Sequence, residues 1–315
     1  NFGNKGSVSI YPPREHCNSQ GVNDMGLTPE FLPGYQPSSG DKNSDLFESC
    51  KDGTTKFLYI AAEDPIGSFY RPQLVKEALK TVPFLIVTDV FMTETARMAD
   101  LILPSSTYAE KDGTFTNMSR HVQGVASAIL PQGTSKPDFD ILIELAETLG
   151  KPFENSTLLE IQQEIEQAAP IYQGMFPGKE SKQWIPATSN KKPALKINST
   201  ENTSEISHEN YPFTLQTNNH MFHIGSYSQR AKALVDIGPE CIAEIHPEDA
   251  KGLGVSSGDQ VIIESSSNKV QVKIKTTKIT SPGMIYVPKN WPEVAINDLR
   301  NGEEGLIQVK VSKSS

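Results

Sequence analysis

Two groups of residues in this sequence have types and spacings that suit chemistry. The first is carboxylates placed just after short apolar runs. Phe57-Leu58-Tyr59-Ile60-Ala61-Ala62 ends in Glu63-Asp64-Pro65, and Phe84-Leu85-Ile86-Val87 leads to Asp89. An acid just past a buried strand lies at the carboxyl end of a parallel sheet, the crevice where dinucleotide-like ligands sit in doubly wound folds. The second is Lys111 two residues before Gly113. A cation beside a residue that admits close backbone approach suits a phosphate. The same kinds of residue also serve plain structural ends: Asp100 as a cap, Gly113 at positive φ, Asn117 satisfying backbone groups.

The soft ligands are sparse. Cys17, Cys50 and Cys241 are far apart and no C-x-x-C occurs, so there is no local iron–sulfur or zinc signature. Reduced thiols in a cytoplasmic setting are the natural reading. Among the histidines only His220 and His223 are close. An H-x-x-H pair without further ligands serves packing more often than metal binding. The residues therefore predict no catalytic group and no metal ligand within this chain.

Strand and helix signals alternate around these residues. Runs at 57–62, 84–90 and 101–103 read as buried parallel strands, because strands covered on both faces are continuously apolar. Helical spacing predicts helices over 71–81, 93–100, 138–149 and 156–169, with Thr93 as a cap and Gly150 as a stop. Strand–helix–strand alternation argues an α/β layer with a parallel sheet. From residue 210 the character changes. Short β-branched runs recur at 213–217, 241–245, 260–264, 270–275 and 284–287, with turns at Ser257-Gly258-Asp259, Ser267-Asn268-Lys269 and Ser281-Pro282-Gly283. Evenly spaced strands of this kind suggest a small barrel. A helix at 246–254 opens with Pro247 and closes with Gly254. The expected organisation is thus a turn-rich segment at 1–55 laid over an α/β domain at 56–172, a polar linker at 173–209, and a β-barrel domain at 210–315.

The 315 residues are enough for about two domains. A hydrophobic share of 37% against 21% charged is foldable rather than disordered. The net charge of −9 argues against a nucleic-acid partner, which selects a basic face. No apolar run approaches the ~20 residues of a spanning helix, so no direct membrane span is expected.

Longer motifs add a family resemblance. Ala99-Asp100-Leu101-Ile102-Leu103-Pro104, Glu110-Lys111-Asp112-Gly113-Thr114-Phe115-Thr116-Asn117 and Arg120-His121-Val122-Gln123 together resemble the A-D-x-x-L-P, E-x-x-G-T-x-x-N and R-x-Q pattern of the molybdopterin oxidoreductase superfamily. Asn18-Ser19-Gln20-Gly21 to Asp24-Met25-Gly26 and Leu32-Pro33-Gly34-Tyr35 resemble the stretch that precedes it. Ile245-His246-Pro247-Glu248-Asp249-Ala250, Gly258-Asp259 and Pro282-Gly283 resemble its final domain. The resemblance implies a Rossmann-like α/β domain followed by a double-psi β-barrel. It also implies that Asn1 is an internal start, with Fe–S ligands and the molybdenum ligand in a part that precedes it. If a pterin guanine dinucleotide binds, the resemblance assigns Glu63, Asp64, Pro65, Asp89, Lys111, Gly113, Asn117 and Arg120 to it, with Asp89 accepting from a guanine or ribose group.

Two branches of the family fit. In one, the large iron–sulfur subunit of NADH:quinone oxidoreductase (respiratory complex I), the domain is a scaffold. This chain would then hold no cofactor and would help position Fe–S domains that carry electrons from NADH to quinone. Its partners would be the other subunits of a membrane-associated respiratory complex, including its own N-terminal Fe–S portion, on the cytoplasmic side of the inner membrane. In the other, a formate dehydrogenase catalytic subunit, it would bind molybdopterin guanine dinucleotide with Mo or W. Met118-Ser119-Arg120-His121 and Ser266-Ser267-Asn268-Lys269 lack arginines usual in formate dehydrogenases, and Phe222-His223-Ile224-Gly225-Ser226 looks more like the complex I subunit, so these stretches favour the scaffold branch. A nucleotide-binding module with another partner is the third reading.

Overall fold

A computed structural model of the chain describes residues 16–28, 30–39, 45–176, 182–183, 210–223, 225–238, 240–291, 293–300 and 306–314. The chain divides into two compact units. One comprises Asn1–Glu63 with Val82–Leu195, the other Asp64–Thr81 with Lys196–Ser315. The sequence pattern places 64–81 with the α/β domain, whereas its contacts group it with the barrel.

In the first unit a short hairpin joins β1 (Phe31–Leu32) and β2 (Gln36–Pro37). The three apolar runs then form β3 (Leu58–Ala61), β4 (Leu85–Asp89) and β5 (Leu101–Pro104), paired in parallel in that order. Only β4, the middle strand, has Leu85, Ile86, Val87 and Thr88 all buried. The segment 113–125 carries no apolar run, yet it forms an antiparallel hairpin of β6 (Gly113–Thr116) and β7 (His121–Val125). A further two-residue strand, β8 (Lys182–Gln183), pairs with β7. It falls within the stretch expected to be linker, most of which lies outside the described residues.

The helix expected at 93–100 is a single 3-10 turn, Ala96–Met98. Thr93 does cap it, its Oγ1 accepting from the Ala96 N–H at 3.1 Å. The helix stops because Asp100 is drawn into the sheet. Its N–H donates to Leu85 O at 2.9 Å and its carboxylate accepts from Leu85 N–H at 2.8 Å. Helices Asp138–Thr148 and Leu158–Ala168 form as their spacing predicts, the second closed by a capping box between Thr157 and Glu160.

A buried polar network fastens the turn-rich segment to this unit. Asp24 is fully buried and accepts from Gln20 Nε2 (2.8 Å), Tyr35 OH (2.6 Å) and Tyr172 OH (2.8 Å). Tyr172 spends its proton on Asp24, so Thr116 Oγ1 donates to Tyr172 at 2.7 Å. Burial raises the Tyr172 phenol well above its ordinary range. Asn18 Oδ1 accepts from the Thr116 N–H at 2.8 Å, on the open edge of β6.

In the second unit, β9 (Phe213–Asn218), β10 (Ile242–Ile245), β11 (Gln260–Glu264), β12 (Lys269–Thr276), β13 (Met284–Pro288) and β14 (Ile307–Lys313) close into a six-stranded barrel. Its order is β10-β12-β11-β14-β9-β13, with β10–β12 and β13–β9 parallel and the other pairs antiparallel. This is the barrel that the resemblance implies. Alternation does the packing: Val261, Ile263, Leu215, Ala243, Ile285 and Val309 point inward, each fully buried. A helix at Pro247–Leu253 ends on Gly254, whose φ of 68° is the left-handed cap expected there.

Candidate functional site

The carboxyl ends of β3, β4 and β5 bring together the groups best suited to a ligand. β4 ends on Asp89, whose Oδ1 accepts from Phe91 N–H at 2.9 Å and whose backbone O accepts from Ser105 N–H at 3.1 Å. Just past β3, Ala62 takes a φ of 54°, its N–H held by Thr88 O at 2.7 Å, and Glu63 follows, exposed. β5 runs into Ser105 and Ser106, both buried.

Beyond β5 the cluster is knit by Asp138, the first residue of helix Asp138–Thr148. Ser105 Oγ donates to Asp138 Oδ1 at 2.6 Å, and Lys111 Nζ pairs with Asp138 Oδ2. Lys111 Nζ also donates to Ser106 O at 3.3 Å. The Ser106 hydroxyl is enclosed and has no hydrogen-bond partner among the described residues. Such a group is costly unless something else satisfies it.

Glu110 anchors the turn that delivers Lys111. It is buried and accepts from Thr107 N–H at 2.6 Å and Gln132 N–H at 3.0 Å. The Thr107 N–H above all holds its carboxyl below the usual carboxylate range. Gly113 is extended within β6 rather than at positive φ, and a Cβ there would meet no atom within 4 Å. The left-handed residue of this motif is instead Arg120, at a φ of 67° in the β6–β7 turn. Asn117 builds that turn, its Oδ1 accepting from Ser119 N–H (3.0 Å) and His121 N–H (3.1 Å).

Asp89 and Lys111 therefore belong to one hydrogen-bonded cluster, in the unit that also holds Glu63 and Gly113. Asn117 and Arg120 sit at the other end of β6, ~13 Å along the strand from Gly113. Asp64 and Pro65 open the short helix Pro65–Ser68 in the second unit. Ser105, Ser106 and Asp138 were not singled out by sequence. Their only local signals are a serine pair after a strand and an acid after Pro137 at a helix start. His223 is buried, its Nε2 2.7 Å from Gly238 O and its ring edge-on to Trp291 at 4.5 Å. Among the described residues no three His, Cys, Asp or Glu side chains form a metal-holding group.

The cluster fits the nucleoside end of a dinucleotide. Asp89 offers a carboxylate to base N–H or ribose O–H groups, the Ser106 hydroxyl lacks a partner among the described residues, and Gly113 leaves space, while both Asp138 oxygens are engaged by Ser105 and Lys111. It fits phosphate less well, because the Lys111 charge is already spent on Asp138.

Known proteins agree with this architecture. Residues 21–148 match the Molybdopterin oxidoreductase family and residues 213–304 match the Molydopterin dinucleotide binding domain. With both of its units so matched, the chain belongs to the molybdopterin oxidoreductase family. It is 34% identical to the F420-dependent formate dehydrogenase subunit alpha of Methanocaldococcus jannaschii, over 96% of this chain and 50% of that protein. It is 30% identical to the NADPH-Fe(3+) oxidoreductase subunit alpha of Geobacter sulfurreducens, over 97% of this chain and 37% of that protein. The fold matches acetylene hydratase from Pelobacter acetylenicus with a TM-score of 0.67 at 17% identity, covering 95% of this chain and 51% of that one. The chain thus spans about half the length, or less, of the curated relatives it matches. Formate dehydrogenase names recur among these relatives, and the specific likeness to a complex I subunit is not among them. These relatives support the formate dehydrogenase branch better than the scaffold branch that the loops at 118–121, 222–226 and 266–269 favour.

Proposed function

We propose that this chain is part of the alpha subunit of a formate dehydrogenase-type molybdopterin oxidoreductase, working with partner subunits. Its cluster of Asp89, Ser105, Ser106, Lys111 and Asp138 holds the nucleoside end of a molybdopterin guanine dinucleotide. The observation that carries the reading is the enclosed Ser106 hydroxyl with no partner among the described residues, next to Ser105, whose own hydroxyl donates to Asp138, in a chain similar over nearly its whole length to formate dehydrogenase alpha subunits. When bound, the pterin and its molybdenum or tungsten supply the redox chemistry. The chain's own residues orient the nucleotide. Asp89 accepts its N–H or O–H groups, Asp138 holds Ser105 and Lys111 in place, and Ser106 Oγ gains the partner it lacks among the described residues. Gly113 allows the backbone of β6 to approach.

Metal and pterin analysis of the native protein tests this. Stoichiometric Mo or W with pterin, and formate-dependent reduction of a dye, are expected. Native protein free of both metals and pterin, co-purifying with NADH- and quinone-binding subunits, would overturn it in favour of a scaffold.

A further inference from the structure

The outer wall of the barrel carries a cavity of about 290 Å³, where Glu244 of β10 pairs with Tyr286 of β13. Alternation puts it there. Ala243, Ile245, Ile285 and Val287 face the core, so Glu244 and Tyr286 face out. The walls are aromatic and aliphatic. Trp291, Tyr286 and His220 line the space, with Ile242 and Pro288 beside them, and the His220 and Trp291 rings meet edge to face at 5.7 Å. Burial first, and the Glu244 charge next, raise the Tyr286 phenol above its ordinary range.

The polar lining is rich in acceptors. Glu240 and Glu244 supply carboxylates. Lys273 takes Glu240 Oε2 at 2.6 Å and Lys275 takes Glu244 Oε1 at 3.4 Å, which leaves the second oxygen of each carboxylate open among the described residues. His220 Nδ1 is enclosed and has no hydrogen-bond partner among the described residues. Lys275 brings a cation, but its side chain is 57% exposed against 25% for Glu244, so the carboxylate is the more enclosed member of that pair.

We propose that this cavity binds a guanidinium-type cation, stacked on its aromatic wall and hydrogen-bonded to Glu240 and Glu244. A guanidinium is a planar fork of N–H donors that matches carboxylates and stacks on aromatic faces. Its donors also satisfy His220 Nδ1, which is costly to leave enclosed and unpaired. An anion would find only Lys275, already engaged by Glu244. The volume lies near the lower end of the roughly 300–1,000 Å³ of small-molecule pockets, so it suits a small head group. All of these residues belong to the second unit, so the inference does not rest on the nucleotide cluster of the first.

Calorimetric titration of the purified native protein with propylguanidinium tests it. Saturable binding with a dissociation constant of about 1 mM or lower is expected. N-propylurea has the same shape without the charge and should bind at least roughly tenfold more weakly. Equal binding of the two, or no saturable binding of the cation, would overturn the proposal. Glu244→Gln should weaken binding roughly tenfold or more with little change in melting temperature. Unchanged affinity in that variant counts against the site. So does binding that is lost in Lys275→Gln, because that marks an anion site. The peptide acetyl-Gly-Arg-Gly-amide separates two sources of the cation. Binding as tight as that of propylguanidinium supports an arginine side chain of another polypeptide, and binding of the free compound alone supports a small metabolite.

Discussion

The six-stranded barrel and the three-stranded sheet are both built from short apolar runs, yet only the barrel covers its own apolar residues. Closure gives every barrel strand two neighbours, and strict alternation sends one set of side chains into a shared interior. The sheet has two edges and one fully buried strand. Most of the exposed large hydrophobic side chains among the described residues lie in its unit, including Phe57, Phe84, Tyr108 and Leu130. The barrel buries its own apolar residues, while the sheet unit leaves more of its large apolar side chains exposed among the described residues and also carries the candidate ligand cluster.

The largest expected effect is in the barrel. Leu215→Ala empties a fully buried position and should cost ~2–5 kcal/mol in denaturant unfolding. A loss under ~1 kcal/mol would mean that the barrel is no tighter than the sheet. Next is Tyr172→Phe in the sheet unit, which strips one donor from Asp24 and the acceptor from Thr116. It should cost ~1–3 kcal/mol by thermal or urea melts. Ser106→Ala should leave the melting temperature nearly unchanged while pterin content of the purified native protein falls roughly tenfold, the equivalent of ~1.4 kcal/mol. Equal pterin content in the two proteins would detach Ser106 from the ligand. Leu101→Ala in this 315-residue chain by itself should cost under ~1 kcal/mol, because the edge is open there.

The smallest effect is a pH slope. Thr107 holds the Glu110 carboxyl below its usual range, so this group adds stability above the unfolded-state value of ~4.3 and loses it as pH falls through the lower folded value. Melts between roughly pH 5 and pH 3 should show a steeper decline for the unaltered protein than for Glu110→Gln. Parallel declines would remove Glu110 from the account.

The barrel was the more legible region, and alternation explains why. Val270 to Lys275 places inward and outward residues in turn, and the structure keeps that register along β12. The parallel runs of β3, β4 and β5 were also readable from their continuous apolar composition. The β6–β7 hairpin was not, since its residues carry no apolar run and its turn is built by Asn117 side-chain bonds. The site was half legible. Asp89 follows from its place at a strand end. Asp138 joins the cluster only through folding, 33 residues after the serine it binds. The phosphate role suggested by Lys111 and Gly113 overlooked that Asp138 would claim the lysine. The branch within the family was read from three loops, and loops vary most between relatives.

The Tyr172–Asp24 bond closes a span of 148 residues. During synthesis at about 5–20 residues per second, Asp24 and Gln20 wait roughly 7–30 seconds before the tyrosine that completes their network has been made. Through that interval the Asp24 carboxylate lacks the Tyr172 phenol, and the Thr116 hydroxyl lacks its Tyr172 acceptor. Nascent chains of this protein should therefore stay sensitive to proteolysis around residues 16–35 until translation has passed residue 172, and become resistant in one step afterwards.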